Sequence, residues 1–128
     1  MKRRGLWAPL SLLLLFPAGA GAGGFQAEAS GLRLELQSKP AQLIQGRETV
    51  YTLSLRDAGG RWVTGAKVTL MGQMPDGMAV LAPLRETSQA GLYSGQVLFT
   101  MEGEWRLTVR IIQTDKPLEL SFIEQVGP

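Results

Sequence analysis

Hydrophobic and polar residues alternate most regularly between Gly91 and Val109. In each half of this stretch, every second residue would face the interior of the protein. These residues are Tyr93, Gly95, Val97, Phe99 and Met101 in the first half, and Trp105, Leu107 and Val109 in the second. The turn Glu102-Gly103-Glu104 separates the two halves. Period-two alternation on both sides of a glycine-containing turn is typical of an antiparallel hairpin with one buried face. The sequence therefore predicts a β-hairpin here.

The same alternation predicts further short strands, and turn residues separate them. The predicted strands lie within residues 32–39, 49–57, 66–70, 79–86 and 118–122. Pro83 falls inside one of them, and because proline cannot donate to a strand ladder we expect that strand at a sheet edge. About seven short antiparallel strands without helical periodicity predict an all-β, Ig-like antiparallel β-sandwich.

Two aromatic residues near glycines have structural interpretations. Tyr93 follows Gly91 at the start of a late strand, which fits a tyrosine corner, a structural hydrogen bond between a tyrosine hydroxyl and the backbone. Trp62 follows the turn residues 57–60, and it can either cover the sheet or form an exposed contact. The sequence leaves both interpretations of Trp62 open.

The first 22 residues have the pattern of a secretory signal peptide. A basic start (Met1 to Arg4) precedes the apolar run Leu6 to Phe16, and small residues follow Pro17. The run is shorter than the ~20 residues that span a bilayer. An uncleaved anchor is the alternative, whereas a lipid anchor is excluded because no cysteine follows the run.

The signal peptide sets the expected domain boundaries and compartment. We expect a signal peptide over residues 1–22, a flexible lead-in over 23–31 and the sandwich over 32–126. The protein is then exported, to the periplasm or the outside of the cell. Its contact with the membrane would be limited to the transient signal peptide.

Charge and composition exclude several classes of function. Without the three basic residues of the leader, ten of the 13 basic side chains remain against 11 acidic ones, and the two signs are interspersed. Nucleic acid is therefore not an expected partner, nor is an anionic membrane surface. The chain also has no cysteine and no histidine. These absences exclude thiolate and histidine-dependent nucleophiles and the usual zinc sites, so we do not expect an enzyme.

Two segments resemble the YtkA-like domain family. The run from Leu55 to Leu70 resembles the family element D-x-x-G-x-P-V-x-G-A-x-V, with tryptophan in place of the usual proline. The run from Gly91 to Leu107 resembles G-x-Y…F-x-M-x-G-x-W-x-L/V, and Met74-Pro75-Asp76-Gly77-Met78 is similar to an M-P-x-M segment. The resemblance spans roughly residues 32–112. It implies an exported Ig-like sandwich and, in many members as in FixH-type relatives, copper handling or cytochrome oxidase assembly. The histidine that often accompanies the methionine segment is missing here.

Three methionines are candidate ligands for Cu(I). In an up-and-down arrangement of strands, the turns at 74–78 and 102–104 lie at the same end of the sandwich. Met74, Met78 and Met101 would then lie near each other, with Trp105 adjacent. Soft thioether sulfurs select Cu(I), and an aromatic face can contact a cation. The alternative is that these methionines fill the end of the core or line a protein contact.

Together these features predict a non-catalytic accessory domain of the cell envelope with a protein partner. By resemblance its setting would be copper handling or oxidase assembly through the methionine cluster. The alternative is a metal-free protein–protein interaction module that uses a sheet face or the Pro83 strand. An exposed apolar patch remote from the methionines would favour this alternative. Its expected members are Leu98, Ile112 and Ile123.

Overall fold

The computed structural model describes residues 24–114 and 116–128. This part of the chain forms nine strands and no helix. The strands are β1 (Gly24–Ala29), β2 (Leu32–Lys39), β3 (Leu43–Ile44), β4 (Glu48–Asp57), β5 (Lys67–Gln73), β6 (Ala79–Glu86), β7 (Leu92–Leu98), β8 (Gly103–Gln113) and β9 (Lys116–Gly127). The all-β prediction is confirmed, with nine strands where the pattern predicts about seven. The additional strands are β1 and the two-residue β3.

The strands form one continuous sheet that curls into a sandwich. Their order is β1-β2-β4-β7-β6-β5-β8-β9-β3, and every neighbouring pair is antiparallel except β3–β9, which is parallel. Strand β6 joins the two layers: residues 79–84 pair with β5, and Arg85 and Glu86 pair with β7. One layer is therefore β1-β2-β4-β7, and the other is β5-β8-β9-β3.

The core lies between the layers and consists of the inward faces of alternating strands. Strand β4, for example, buries every second residue from Thr49 to Leu55. Trp105, from β8, is fully buried, and its ring meets that of Phe99 edge-on at a centroid distance of 5.1 Å. Each large apolar side chain buried in this way contributes about 1.5–3 kcal/mol to the free energy of folding. The alternation in the sequence thus reports the inward face correctly.

The predicted hairpin between residues 91 and 109 is wrong. Strand β7 pairs with β4 and β6, whereas β8 pairs with β5 and β9, so the two strands lie in different layers. The connection 99–102 crosses from one layer to the other. Tyr93, Val97, Phe99 and the β8 positions are buried as predicted, but Met101 is exposed. Alternation indicates which face is buried and does not identify the pairing partner.

The prediction that the Pro83 strand lies at an edge is also wrong. The edge strands are β1 and β3, and β6 lies in the middle of the strand order. Pro83 sits just before β6 changes partner from β5 to β7. Its backbone passes so close to Gly95 that a Cβ on that glycine would overlap the Pro83 carbonyl. A proline is tolerated inside this sheet because it occupies the point where one ladder ends and the next begins.

The expected flexible lead-in, residues 23–31, contains strand β1. Phe25 is buried there, and its ring stacks on Phe122 of β9 at a centroid distance of 4.4 Å. This aromatic contact joins β1 to β9, a strand of the other layer. The predicted signal peptide, residues 1–22, lies outside the described residues. No helix in residues 24–114 and 116–128 is long and apolar enough to cross a membrane.

The connections between strands fall into two groups at opposite ends of the sandwich. We call one the clasp end, formed by the connections 58–66 and 87–91. We call the other the methionine end, formed by the connections 40–47, 74–78 and 99–102.

Candidate functional site

At the clasp end, the Tyr93 hydroxyl holds the long connection between β4 and β5. It donates a hydrogen bond to the Val63 carbonyl at 2.8 Å and accepts one from the Ala66 N–H at 3.1 Å. Burial raises the pKa of Tyr93, so the hydroxyl stays protonated and can donate. The structural interpretation of Tyr93 is confirmed, but its partners lie 27 and 30 residues upstream, farther than in a tyrosine corner.

Glu86 fixes the same end through two backbone hydrogen bonds. Its carboxylate accepts from the Gly65 N–H at 3.0 Å and from the Gly91 N–H at 3.1 Å. These bonds lower the pKa of Glu86 and keep it ionised. Asp57 acts similarly within its own turn, since it accepts from the N–H groups of Gly59 and Arg61, and the bond from Arg61 is the main cause of its lowered pKa.

Trp62 covers the sheet at this end. A Cβ on Gly91 would lie 2.6 Å from Cε3 of Trp62, and Gly91 has a φ of +76°. The Arg56 guanidinium carbon lies 4.1 Å from the centre of the Trp62 ring. Since 45% of the side chain is still exposed, the structure combines both interpretations that the sequence left open.

The methionine end begins with a well-defined turn between β5 and β6. The Met74 N–H donates to the Met78 carbonyl at 2.8 Å, and the Gly77 N–H donates back to the Met74 carbonyl at 3.0 Å. The Asp76 carboxylate accepts from the Met78 N–H at 2.9 Å. Gly77 has a φ of +96°, a conformation that glycine adopts without strain. The predicted Met74–Met78 turn is confirmed.

Both methionine-bearing segments lie at this end. The Met74 methyl carbon would lie 2.9 Å from a Cβ on Gly103, and the Met78 sulfur lies 3.5 Å from the Thr100 hydroxyl. Met74 is half-buried against the core, whereas the side chains of Met78 and Met101 are 38% and 41% exposed. The structure thus brings the segments of all three predicted ligands together. Binding of a metal by them stays a prediction.

Trp105 lies next to Met101, but its ring is buried. Its side chain is fully buried and packs against Phe99, so its ring offers no exposed face to a cation. Its indole N–H instead donates to the Met101 carbonyl at 3.0 Å. Trp105 therefore positions the Met101 segment through the backbone. The sequence reveals that Trp105 faces inward but not which carbonyl it holds.

The chemistry of this end suits a soft cation. Among the described residues, no group of three or more Asp or Glu side chains could hold a metal ion, and the whole chain lacks histidine and cysteine. The methionine end offers thioether sulfurs, which bind Cu(I) in preference to Zn²⁺ or Mg²⁺. The residues present are therefore compatible with Cu(I).

The predicted apolar patch of Leu98, Ile112 and Ile123 is not a single surface. Leu98 lies on β7 in one layer, and the two isoleucines lie on β8 and β9 in the other. Ile112 is half-buried near the clasp end, where it pairs with Lys67. Leu98 and Ile123 are both exposed, and both lie toward the methionine end.

The nine-stranded curled sandwich is an Ig-like fold, and comparison with known proteins assigns its family. The chain belongs to the YtkA-like family, whose model matches residues 26–110. A comparison with curated proteins gives no match.

Solved structures resemble this fold at low sequence identity. A DUF4426 family protein from Pseudomonas aeruginosa PAO1 has a TM-score of 0.65 at 14% identity, over 84% of this chain and 97% of that chain. The Lin-41 filamin domain has a TM-score of 0.52 at 20% identity, over 81% of this chain and 91% of that chain. These likenesses confirm the Ig-like β-sandwich, and they carry no information about a ligand.

Proposed function

We propose that this chain is an exported, non-catalytic accessory domain of the cell envelope that binds Cu(I) at its methionine end. The observation that carries the proposal is the meeting of the two methionine-bearing connections, 74–78 and 99–102, at one end. Met74, Met78 and Met101 would supply the thioether ligands. The family relationship fits a small accessory domain.

Exposure of the methionines supports a binding role over a packing role. A methionine that only fills a gap in the core is buried, but Met78 and Met101 keep more than a third of their surface exposed. The one turn that carries Met74 and Met78 is held by backbone hydrogen bonds, so their sulfurs are presented from an ordered frame. An ordered frame lowers the entropic cost of forming a metal site.

A second candidate function is a metal-free contact with an envelope protein through the same end. The observation that favours it is exposed Ile123, which lines a surface pocket together with Met74, although the sequence predicts the apolar patch away from the methionines. Flexible, polarisable methionines beside aliphatic side chains are common at protein-binding surfaces. On this alternative the thioethers contact apolar side chains of the partner rather than a metal.

A Cu(I) competition titration under reducing, anaerobic conditions tests the proposal. The full chain is compared with the triple variant Met74→Leu/Met78→Leu/Met101→Leu. Met71→Leu serves as the matched control because Met71 lies within β5, outside the methionine-bearing connections. We expect one Cu(I) bound by the native protein and by the control, and none by the triple variant.

The fold must survive for the comparison to be valid, and thermal unfolding of each variant measures this. Leucine is nearly isosteric with methionine, so each replacement is expected to cost less than about 1.5 kcal/mol. Failure of the native protein to compete for Cu(I) would exclude the metal site. The second candidate would then be tested by substituting Leu98 and Met101 with lysine once a partner is identified.

A further inference from the structure

An acidic side chain points into the sandwich near the methionine end. Strand β9 directs its even-numbered residues inward, and Glu124 takes one of these positions between Phe122 and Val126. It is half-buried, and it has no hydrogen bond or ion pair with another described residue. A carboxylate that is partly removed from water without a partner is costly. Its position therefore needs a physical explanation.

Two buried hydroxyl groups lie on the inward face of the other layer. Thr49 and Tyr51 of β4 are 0% and 2% exposed, and neither hydroxyl has a hydrogen-bond partner among the described residues. Glu124 is close enough to Tyr51 for its charge, together with burial, to raise the pKa of the tyrosine. Most buried polar groups in native proteins have partners, so three inward-facing groups without one are unusual.

Glu124 also lines a pocket that opens to the surface. The pocket has a volume of about 540 Å³ and lies between residues 41–44 and residues 123–128. Its walls include the aliphatic side chains of Leu43, Ile44 and Ile123. A ligand can therefore approach Glu124 along apolar walls.

We propose that this pocket binds a primary ammonium group carried on an aliphatic stem. An ammonium has three N–H donors and no acceptor, which matches the carboxylate of Glu124 and the hydroxyl oxygen of Tyr51, whose pKa the Glu124 charge helps to raise. The carboxylate supplies the countercharge, and the aliphatic stem contacts the pocket walls. The group is either the side chain of a lysine in a partner protein or a small alkylamine. This site is independent of the proposed Cu(I) ligands, because it uses none of the methionines.

The test is a titration of the isotope-labelled full chain with butylammonium, followed by NMR. Neutral 1-butanol, which has the same stem without the charge, is the control ligand. We expect saturable shifts of backbone amides in residues 41–44 and 123–127 with butylammonium only. The carboxyl carbon of Glu124 reports its pKa directly, and a bound cation is expected to lower that pKa.

Variants separate the site from a general effect of charge. Glu124→Gln is expected to weaken butylammonium binding at least about tenfold, which is the scale of one charge-assisted hydrogen bond. Glu119→Gln is the matched control, because Glu119 lies on the same strand but is exposed and paired with Arg110. We expect it to bind like the native protein. Tyr51→Phe is expected to weaken binding without unfolding the domain.

Two arms identify the source of the ammonium group. Binding of acetyl-Gly-Lys-Gly-amide about tenfold or more tighter than butylammonium would indicate a lysine from a partner. Equal or weaker binding of the peptide would indicate a small alkylamine. The proposal is overturned if butanol shifts the same amides as butylammonium, if no shift saturates, or if Glu124→Gln binds as tightly as the native protein.

Discussion

Replacing Tyr93 with phenylalanine removes one hydroxyl and, with it, two hydrogen bonds at the clasp end. The buried Val63 carbonyl loses its donor at 2.8 Å, and the half-buried Ala66 N–H loses its acceptor at 3.1 Å. A buried group left without a partner costs about 1–3 kcal/mol, and water can replace part of this at Ala66. We therefore expect the free energy of unfolding to fall by about 2–3 kcal/mol. For a domain of this size the melting temperature would fall by about 10–20 °C.

The same chemical change at Tyr51 is a matched control. The Tyr51 hydroxyl is buried without a partner among the described residues, so Tyr51→Phe removes an unsatisfied group and breaks no hydrogen bond. We expect it to cost no more than about 0.5 kcal/mol, and it can be stabilising. Urea denaturation followed by tryptophan fluorescence measures both variants. Equal losses of stability in the two variants would refute the clasp argument, and so would an unchanged Tyr93→Phe protein.

Two further predictions concern a glycine and a carboxylate. Gly91 has a φ of +76°, and a Cβ added there by Gly91→Ala would lie 2.6 Å from the Trp62 ring. Backbone strain and this overlap together should lower the melting temperature clearly more than Gly31→Ala does. Gly31 has nearly the same φ, +75°, and open space around it, so its loss should be only the backbone strain of about 1–2 kcal/mol. Burial raises the pKa of Glu124 above its ordinary value of 4.5, so the folded state holds this proton more tightly than the unfolded chain. The native protein therefore loses stability relative to Glu124→Gln as the pH rises from 4.5 through the raised pKa. Urea denaturation at several pH values measures both proteins, and a difference in their free energies of unfolding that does not change with pH would contradict this.

The sequence predicts the inward faces of the strands well and their partners poorly. Tyr93 and Trp105 are buried as the alternation indicates, yet their strands lie in different layers. Alternation depends on burial of one face, which either pairing satisfies. The edge position predicted for the Pro83 strand is wrong for the same reason. Strand β6 changes its pairing partner just after Pro83, and that change depends on the arrangement of the whole sheet. Phe25 looks isolated in a Gly/Ala-rich segment until Phe122, almost a hundred residues later, is placed beside it.

The candidate site shows which kinds of inference a sequence supports. Counting strands predicts that the turns of Met74 and Met101 lie at one end, and the structure places them there because β5 pairs with β8. The contact of Trp105 with the Met101 carbonyl depends on a side-chain rotamer, which no spacing rule specifies. Glu124 is not among the residues that the sequence predicts to be functional. Its signal in the sequence is an acidic residue at an inward position of a strand that otherwise alternates, Leu120-x-Phe122-x-Glu124-x-Val126.

Four of the residues that mark the family lie at the opposite end of the molecule from the methionines that could bind a ligand. The motif positions Asp57, Gly65, Gly91 and Tyr93 hold backbone at the clasp end, where their hydrogen bonds are directed into the protein. Substitutions there act on stability and would reduce any activity indirectly. At the methionine end, the side chains of Met78 and Met101 are exposed. A loss of binding with unchanged unfolding is therefore the result that would assign a function to this end, and Met78→Leu combined with Met101→Leu is the substitution designed to produce it.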